Sequence, residues 1–301
     1  MTIKKVIEMP MGIKKIAFFT VVFPSIAKYL GDFFGSLAGQ TFKDFDLILI
    51  NDGLEGIEKF KLKHRRLNIH EVALSGTPAK IREAGINLVV EKCYGAVIFG
   101  DADDYFAKNR VEKSVDLLEN YDIVVNDFNL VDEEGKTLEE HYLSKRLKTG
   151  STVNLKFIED KNVLGFSNTA VRRSAFDKVI FNSELIAVDW FFFSYLLNMG
   201  ASALFTDETV TSYRQHRLNM VGIGRYDDDT ILRGIRTKLL QYEEMSKINP
   251  EYVQLREDIR AIIRKVEDDS SFKKSYLSKI KGNTVKDPLW WEAIKIAEDL
   301  K

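Results

Sequence analysis

Three aspartates stand within four residues near the middle of the chain, in Asp101-Ala102-Asp103-Asp104. Carboxylates this close repel one another, and a hard cation such as Mg²⁺ or Mn²⁺ relieves that repulsion while it shares its coordination with substrate phosphates. The motif therefore predicts a divalent-metal site that holds a diphosphate. The alternative is a solvated acidic turn in which Asp104 caps the helix that follows.

A further carboxylate, Asp52, follows an apolar run and precedes a glycine in Asn51-Asp52-Gly53. It could accept hydrogen bonds from a ribose or a base. Taken alone, Asp52 is better explained as the side chain that closes an Asx turn.

Apolar runs alternate with helical patterns up to about residue 129, and this alternation predicts βαβ units with a mainly parallel sheet. The predicted strands cover residues 16–23, 45–50, 69–74, 96–99 and 122–126. The predicted helices begin near Tyr29, Pro78 and Val111. In such sheets ligands bind at the carboxyl ends of strands. We therefore expect Asp52 and the acidic loop to meet at one edge.

The pattern changes after residue 129. Residues 131–150 are polar, strands are predicted at 163–171 and 203–213, and a helix is predicted at 188–199. From about residue 226 the chain reads as wholly helical. The sequence thus predicts an α/β sheet domain of residues 1–225 and a helical C-terminal appendage of residues 226–301.

Composition restricts the partners and the setting. The net charge of −1 gives no electrostatic argument for nucleic acid as a partner. The single cysteine cannot form an intrachain disulfide, which favours a reducing cytoplasm. Neither of the longest apolar runs reaches the about 20 residues that a bilayer span needs.

The late helices are locally basic because of Lys273, Lys274, Lys279 and Lys281. A solvated helix face explains them most simply, while peripheral docking on anionic lipid at the inner membrane face is the alternative.

Five segments repeat an order and spacing known from one enzyme family. They are residues 29–42 with the turn Gln40-Thr41-Phe42, residues 47–53, residues 76–86, residues 99–106, and Tyr213-Arg214-Gln215-His216 with Asn219, Val221 and Gly222. Together they resemble the family 2 glycosyltransferases, inverting enzymes of the GT-A fold. The resemblance covers roughly residues 14–222.

This resemblance implies a GT-A type nucleotide-diphospho-sugar transferase fold, with a nucleotide-binding half at about 14–129 and an acceptor half at about 130–225. It also implies a UDP-, GDP- or dTDP-linked sugar donor, a glycan or lipid-linked acceptor, and Mn²⁺ or Mg²⁺ as cofactor. The loop after the first strand departs from the family pattern at residues 20–25, so the nucleotide stays open.

Carried over by position, the resemblance assigns a role to each matching residue. Asp52, Arg82, Asp101, Ala102 and His216 would bind the donor, Asp103 and secondarily Asp101 would hold the metal, and Asp189 would be the catalytic base. Val188 stands where the family usually has a glutamate, but the aspartate itself is present. An N-terminal helix cap is the alternative role of Asp189.

Acceptor contacts are expected from Trp190, which could stack on a sugar, and from Asn168, for which a strand-edge role is equally compatible. Trp290 and Trp291 are expected to anchor the end of the chain to the body of the protein.

Two other functions fit a nucleotide site with aspartates. A sugar-nucleotide nucleotidyltransferase would carry a glycine-rich basic loop after the first strand, but residues 24–28 contain no glycine. A catalytically silent sugar-nucleotide-binding protein would not need the aspartates at 101, 103 and 189.

Overall fold

The computed structural model describes residue 13 and residues 15–216, 227–282 and 286–295. Four parallel strands form the first half of the sheet, in the order β3-β2-β1-β4. These strands are β1 (Ile16–Val22), β2 (Phe45–Asn51), β3 (Asn68–Ala73) and β4 (Ala96–Phe99). The helices between them are α1 (Leu30–Ala38), α2 (Glu58–Lys63) and α3 (Pro78–Glu91). The predicted βαβ organisation is confirmed here.

The second half of the sheet is mixed. It contains β5 (Tyr105–Phe106), β6 (Ile123–Val131), β7 (Thr137–Glu139), β8 (Thr169–Arg172) and β9 (Ala203–Arg214), with the helices α4 (Arg110–Leu118) and α5 (Val188–Asn198). The order continues from β4 as β8-β6-β9-β5. Strand β8 is antiparallel to both of its neighbours, whereas β9 runs parallel to β6.

The predicted strand at residues 163–171 is wrong over most of its length, since only Thr169–Arg172 pairs in the sheet. In residues 163–168, hydrogen bonds of the Asn168 side chain take the place of backbone hydrogen bonds between strands. Its Oδ1 accepts from the Gly165 N–H at 2.9 Å, and its amide donates to the carbonyl of Asn126 at 2.9 Å. Residues 163–168 therefore form a fixed loop.

Both faces of β1 are covered, which explains why the strand is a continuous apolar run. On one face Phe18 packs against Phe33 of α1 and against Phe106. On the other, Phe19 packs against Phe99 and lies under α3. Helices on both sides hold the central strands rigidly, so the loops at their carboxyl ends have a fixed origin.

The C-terminal region contains α6 (Asp228–Ser246), α7 (Tyr252–Asp268) and α8 (Ser270–Gly282). The prediction of a wholly helical region is therefore confirmed up to residue 282 and wrong for residues 286–295. Tyr242 and Gln241 of α6 contact Trp190 and Ser194 of α5. Residues 286–295, which we call the C-terminal strap, then return to the sheet domain without forming a helix. No helix in the described ranges has the length and apolarity that crossing a bilayer requires. The predicted boundary at residue 225 lies outside the described residues.

Candidate active site

A cavity of about 300 Å³ lies at the carboxyl edge of the sheet. Strands β2 and β4 both flank β1, so the loops that follow these three strands meet there. Phe23, Asp52, Asp101 and Asp103 all line the cavity. The predicted convergence of Asp52 with the acidic loop is thus confirmed, at the position where sheets of this type bind ligands.

Asn51, rather than Asp52, closes the turn after β2. Its Oδ1 accepts from the N–H of Leu54 at 2.8 Å, and its amide donates to the Leu54 carbonyl at 3.0 Å. Gly53 provides the positive φ of 79° that the turn requires. Asp52 is consequently not needed for the turn, and its carboxylate lines the cavity.

The acidic loop begins at a glycine that has no space for a side chain. A Cβ on Gly100 would lie 2.4 Å from the Phe18 ring and 2.6 Å from that of Phe106. The Gly100 N–H donates to the Phe19 carbonyl at 3.1 Å and so continues the contact with β1. The loop therefore leaves the sheet in close contact with the core, and Asp101 follows directly.

Asp101 forms an ion pair with Arg82 of α3. The Arg82 guanidinium lies over the Phe166 ring, 4.9 Å from its centre, and lines the cavity. Burial raises the pKa of Asp101, and the positive charge of Arg82 opposes that rise. The pair places one cation and one carboxylate side by side in the wall of the cavity.

Asp103 faces His216, whose Nε2 is 2.9 Å from its Oδ2. His216 is 4% exposed and stacks on Tyr29, so the imidazole has a fixed position behind Asp103. The other members of the late motif, Asn219, Val221 and Gly222, lie outside the described residues.

Asp103 and His216 offer one oxygen and one nitrogen atom of the kinds that bind divalent metals, with Oδ2 and Nε2 2.9 Å apart. Within the described residues no three such side chains form a complete metal cage. Divalent ions at phosphate sites commonly take one or two protein ligands and complete their shell from phosphates and water. The residues present therefore fit a metal that binds together with a diphosphate.

The alternative in which Asp104 caps the following helix is wrong, because α4 begins six residues later at Arg110. Asp104 is 1% exposed and accepts hydrogen bonds from the Arg214 N–H at 2.7 Å and from the Ser167 hydroxyl. Burial, reinforced by the charges of Asp103 and Asp101, raises its pKa well above the usual value. Asp104 thus ties the acidic loop to β9 and to the 163–168 loop.

Arg214 holds the acidic loop from behind. Its Nε donates to the Asp103 carbonyl at 2.9 Å and its Nη1 to the Glu133 carbonyl at 2.6 Å, while Nη2 pairs with Asp32 at 2.7 Å. The guanidinium is 1% exposed. These contacts give Arg214 a structural role, in which it fixes the acidic loop to the residues behind it.

Asp189 lines the same cavity from the first turn of α5. The helix cap is Ala187, so Asp189 is not the capping residue. Its Oδ1 accepts from the Trp190 N–H at 2.8 Å, and its Oδ2 accepts from the amide of Asn162 at 3.3 Å. Burial raises the pKa of Asp189 to about 6, against the opposing effect of the Trp190 N–H.

Trp190 does not face the cavity. It is fully buried, its indole N–H donates to the Ile158 carbonyl at 2.7 Å, and its ring packs against Tyr242. This geometry contradicts the expectation that Trp190 stacks on an acceptor sugar. Asn168 does line the cavity, although its amide is occupied by the loop contacts described above. An acceptor contact of Asn168 stays a prediction.

The lining residues that were not assigned to the site from the sequence include Phe128, Asn162, Tyr213, Trp290 and Trp291. Trp290 and Trp291 were expected only to anchor the chain end. Their adjacency was the one visible signal, and it carried no information about where the strap would dock.

The model of the Glycosyl transferase family 2 matches residues 18–180, which is more than half of the chain. The chain belongs to glycosyl transferase family 2. This match includes Asp52, Arg82 and the acidic loop, whereas Asp189, His216 and the C-terminal strap lie beyond it.

Two curated relatives of this family 2 chain are both described as uncharacterised glycosyltransferases. One, from Rickettsia bellii, is 33% identical over 111 residues, which is 35% of this chain and 15% of the relative. The other, from Bacillus subtilis, is 26% identical over 114 residues, which is 37% of this chain and 41% of the relative. The aligned segment therefore spans less than half of either relative.

Solved structures share the GT-A fold with this family 2 protein. S. aureus TarS in complex with UDP has a TM-score of 0.59 and 18% identity, with 90% of this chain and 75% of that chain covered. A mannosyltransferase from Pyrobaculum calidifontis, in complex with GDP-Man and Mn²⁺, has a TM-score of 0.57 and 10% identity, with 92% and 78% covered. These likenesses establish the architecture.

Proposed function

We propose that this protein is an inverting glycosyltransferase that moves a sugar from a nucleotide-diphosphate donor to an acceptor hydroxyl. The observation that carries the proposal is the placement of Asp189 in the same cavity as Asp52, Asp101 and Asp103. A single displacement needs two parts: a carboxylate that takes the proton of the acceptor, and a site that stabilises the leaving diphosphate.

The donor would lie along the carboxyl ends of β1, β2 and β4. Asp52 would accept hydrogen bonds from the nucleoside, and Arg82 with Asp101 would contact the diphosphate and the donor sugar. Bound at Asp103 and His216, Mn²⁺ or Mg²⁺ would neutralise charge on the diphosphate. UDP and GDP-Man in the structural neighbours support testing both nucleotides first.

The chemical step would be a single displacement at the anomeric carbon. Asp189 takes the proton of the acceptor hydroxyl, the acceptor oxygen forms a bond to the anomeric carbon, and the bond from that carbon to the diphosphate oxygen breaks. The nucleoside diphosphate leaves with the bonding electron pair. The raised pKa of Asp189 makes it a stronger base than a solvated aspartate.

Donor hydrolysis tests this proposal without a known acceptor, since water can take the acceptor's place. The protein with Mn²⁺ and each donor should release nucleoside diphosphate and a sugar whose first-formed anomer, seen by NMR, is inverted relative to the donor. Asp189→Asn should slow this release by roughly 10²–10⁴-fold. Asp177→Asn, at a carboxylate that is 94% exposed, is the matched control.

Other products would overturn the proposal. A retained anomer or full activity of Asp189→Asn would contradict the inverting mechanism with this base. Formation of sugar 1-phosphate and nucleotidyl transfer would instead support a nucleotidyltransferase. Binding of donor without any release would support a silent binding protein.

We also propose a cytoplasmic enzyme whose glycan or lipid-linked acceptor can be reached at the membrane surface. Support comes from the positive charge that the lysines give to α8. One of them, Lys281, forms an ion pair with Asp228 at 2.6 Å, so the test uses two others. Co-sedimentation with anionic vesicles should fall when Lys273 and Lys274 are replaced by glutamate. No sedimentation of the unaltered protein would reject membrane contact.

A further inference from the structure

The C-terminal strap is fixed to the sheet domain by polar contacts along its length. Glu292, which is 6% exposed, receives two parallel hydrogen bonds from the Arg146 guanidinium, at 3.0 and 2.9 Å. The Tyr142 hydroxyl donates to the Pro288 carbonyl at 2.7 Å, and the buried Lys238 donates to the Ile294 carbonyl at 2.7 Å. Such bidentate and buried contacts hold the strap in one position.

The strap brings an aromatic side chain into the wall of the cavity. Trp290 packs edge-on against Phe128 of β6, with ring centres 5.2 Å apart, and against Tyr213 of β9 at 5.5 Å. All three rings line the cavity, and Trp290 is only half-buried. Strand β8 separates β6 and β9 from β4, so this aromatic wall is displaced from the acidic loop along the sheet.

One residue connects the aromatic wall to the proposed base. The backbone N–H of Asn162 donates to the Trp290 carbonyl at 3.0 Å, and its side-chain amide donates to Asp189 Oδ2 at 3.3 Å. Residues 162 and 290 form an isolated antiparallel bridge. Asn162 therefore contacts both the backbone of Trp290 and the carboxylate of Asp189, and all three residues line the same cavity.

We propose that Trp290, supported by Phe128 and Tyr213, is the subsite for a sugar ring of the acceptor. This inference rests on the proposed function and specifies the acceptor as a carbohydrate. The apolar C–H face of a pyranose packs on an aromatic ring, while its hydroxyl groups need polar partners, and Asp189 and Asn162 line the same cavity. The proposed donor site, in contrast to this aromatic wall, is lined by the charged side chains of Asp52, Asp101, Asp103 and Arg82.

The test measures binding of simple sugars rather than transfer. Methyl glycosides of glucose, galactose, mannose and N-acetylglucosamine are each titrated by saturation-transfer NMR. We expect at least one to bind with its C–H protons in contact with the protein. Trp290→Ala should weaken that binding by about tenfold or more, and Trp290→Phe should weaken it less.

Phe272→Ala is the matched control, because this half-buried ring stacks on Tyr276 of α8 and lies outside the cavity. It should bind the glycoside as the unaltered protein does. Thermal stabilisation of Trp290→Ala by the nucleotide-sugar donor shows that the variant is folded and keeps its donor site.

Two results would overturn the inference: no glycoside binds, or Trp290→Ala binds glycosides as tightly as the unaltered protein. Both results can be told apart from a failure of the proposed function. If the proposed function were wrong, the unaltered protein would bind no nucleotide sugar and release no nucleoside diphosphate, whatever the glycoside result.

Discussion

The cavity is lined by Asp101, Asp103 and Asp189 as well as by Asp52, and each of the first three has a different neighbour that sets its chemistry. Asp101 pairs with the positive charge of Arg82, Asp103 faces His216, and Asp189 accepts only hydrogen bonds from Asn162 and a backbone N–H. Such differences in environment give chemically identical carboxyl groups different pKa values and therefore different roles. Asp189 is suited to take a proton because burial raises its pKa to about 6, whereas the ion pair with Arg82 opposes the same effect of burial at Asp101.

The pH dependence of donor hydrolysis should report this carboxyl group. Asp189 must be ionised to act as a base, and its pKa is raised to about 6. We therefore expect kcat/KM to fall as the pH decreases below about 6 and to level off above it. Asp52→Asn should raise the donor KM but leave this acidic limb in place. A profile that stays flat down to about pH 4.5 would contradict the assignment.

At this scale the sequence predicted the residues that follow strand ends. Asp52 and Asp101 could be placed because the alternation of strands and helices determines which loops share an edge. Asn162, Tyr213 and Trp290 could not, because no periodicity relates a residue near 160 to one at 290. The role of Asp104 was misjudged because its partners, Ser167 and Arg214, come from later elements.

Among the elements, β4 and the loop after it control the position of the acidic residues. The strand has only four residues, and Gly100 then passes between Phe18 and Phe106. The parallel half of the sheet was predictable since each of its strands is a short apolar run with helical patterns between them. The 163–168 loop was not predictable, because its apolar residues resemble a strand in the sequence, while the side-chain hydrogen bonds that make it a loop have no signature there.

Gly100→Ala tests this arrangement. The added methyl group must displace Phe18 or the loop, so we expect the free energy of unfolding to fall by roughly 1–3 kcal/mol. Because Asp101 is adjacent, donor affinity should fall as well. The measurement is urea unfolding combined with donor titration.

Gly35→Ala is the matched control for that variant. Gly35 lies inside α1, which packs on the same face of the sheet, and a Cβ there would meet no atom within 4 Å. Replacing a helical glycine by alanine should stabilise the protein by roughly 0.5–1 kcal/mol. Equal effects of the two substitutions would argue against close packing at Gly100.

On the scale of the whole molecule, the helical region and the sheet domain build one site together. Helix α6 packs on α5, which carries Asp189, and the strap that follows α8 adds Trp290 to the cavity. The sequence predicted the helices of this region but placed them outside the catalytic machinery. The family match at residues 18–180 likewise ends before Asp189 and the strap.

Binding of a nucleotide sugar together with a divalent ion in the cavity can be measured by thermal shift. UDP-, GDP- and dTDP-sugars are each added with and without Mn²⁺ to the unaltered protein and to Asp103→Ala. A ligand that binds only the folded state must stabilise it, by about 2.7 kcal/mol at a concentration 100-fold above Kd. We predict that at least one donor raises Tm, that Mn²⁺ enlarges the rise, and that Asp103→Ala removes the Mn²⁺-dependent part. No rise with any donor would contradict the account.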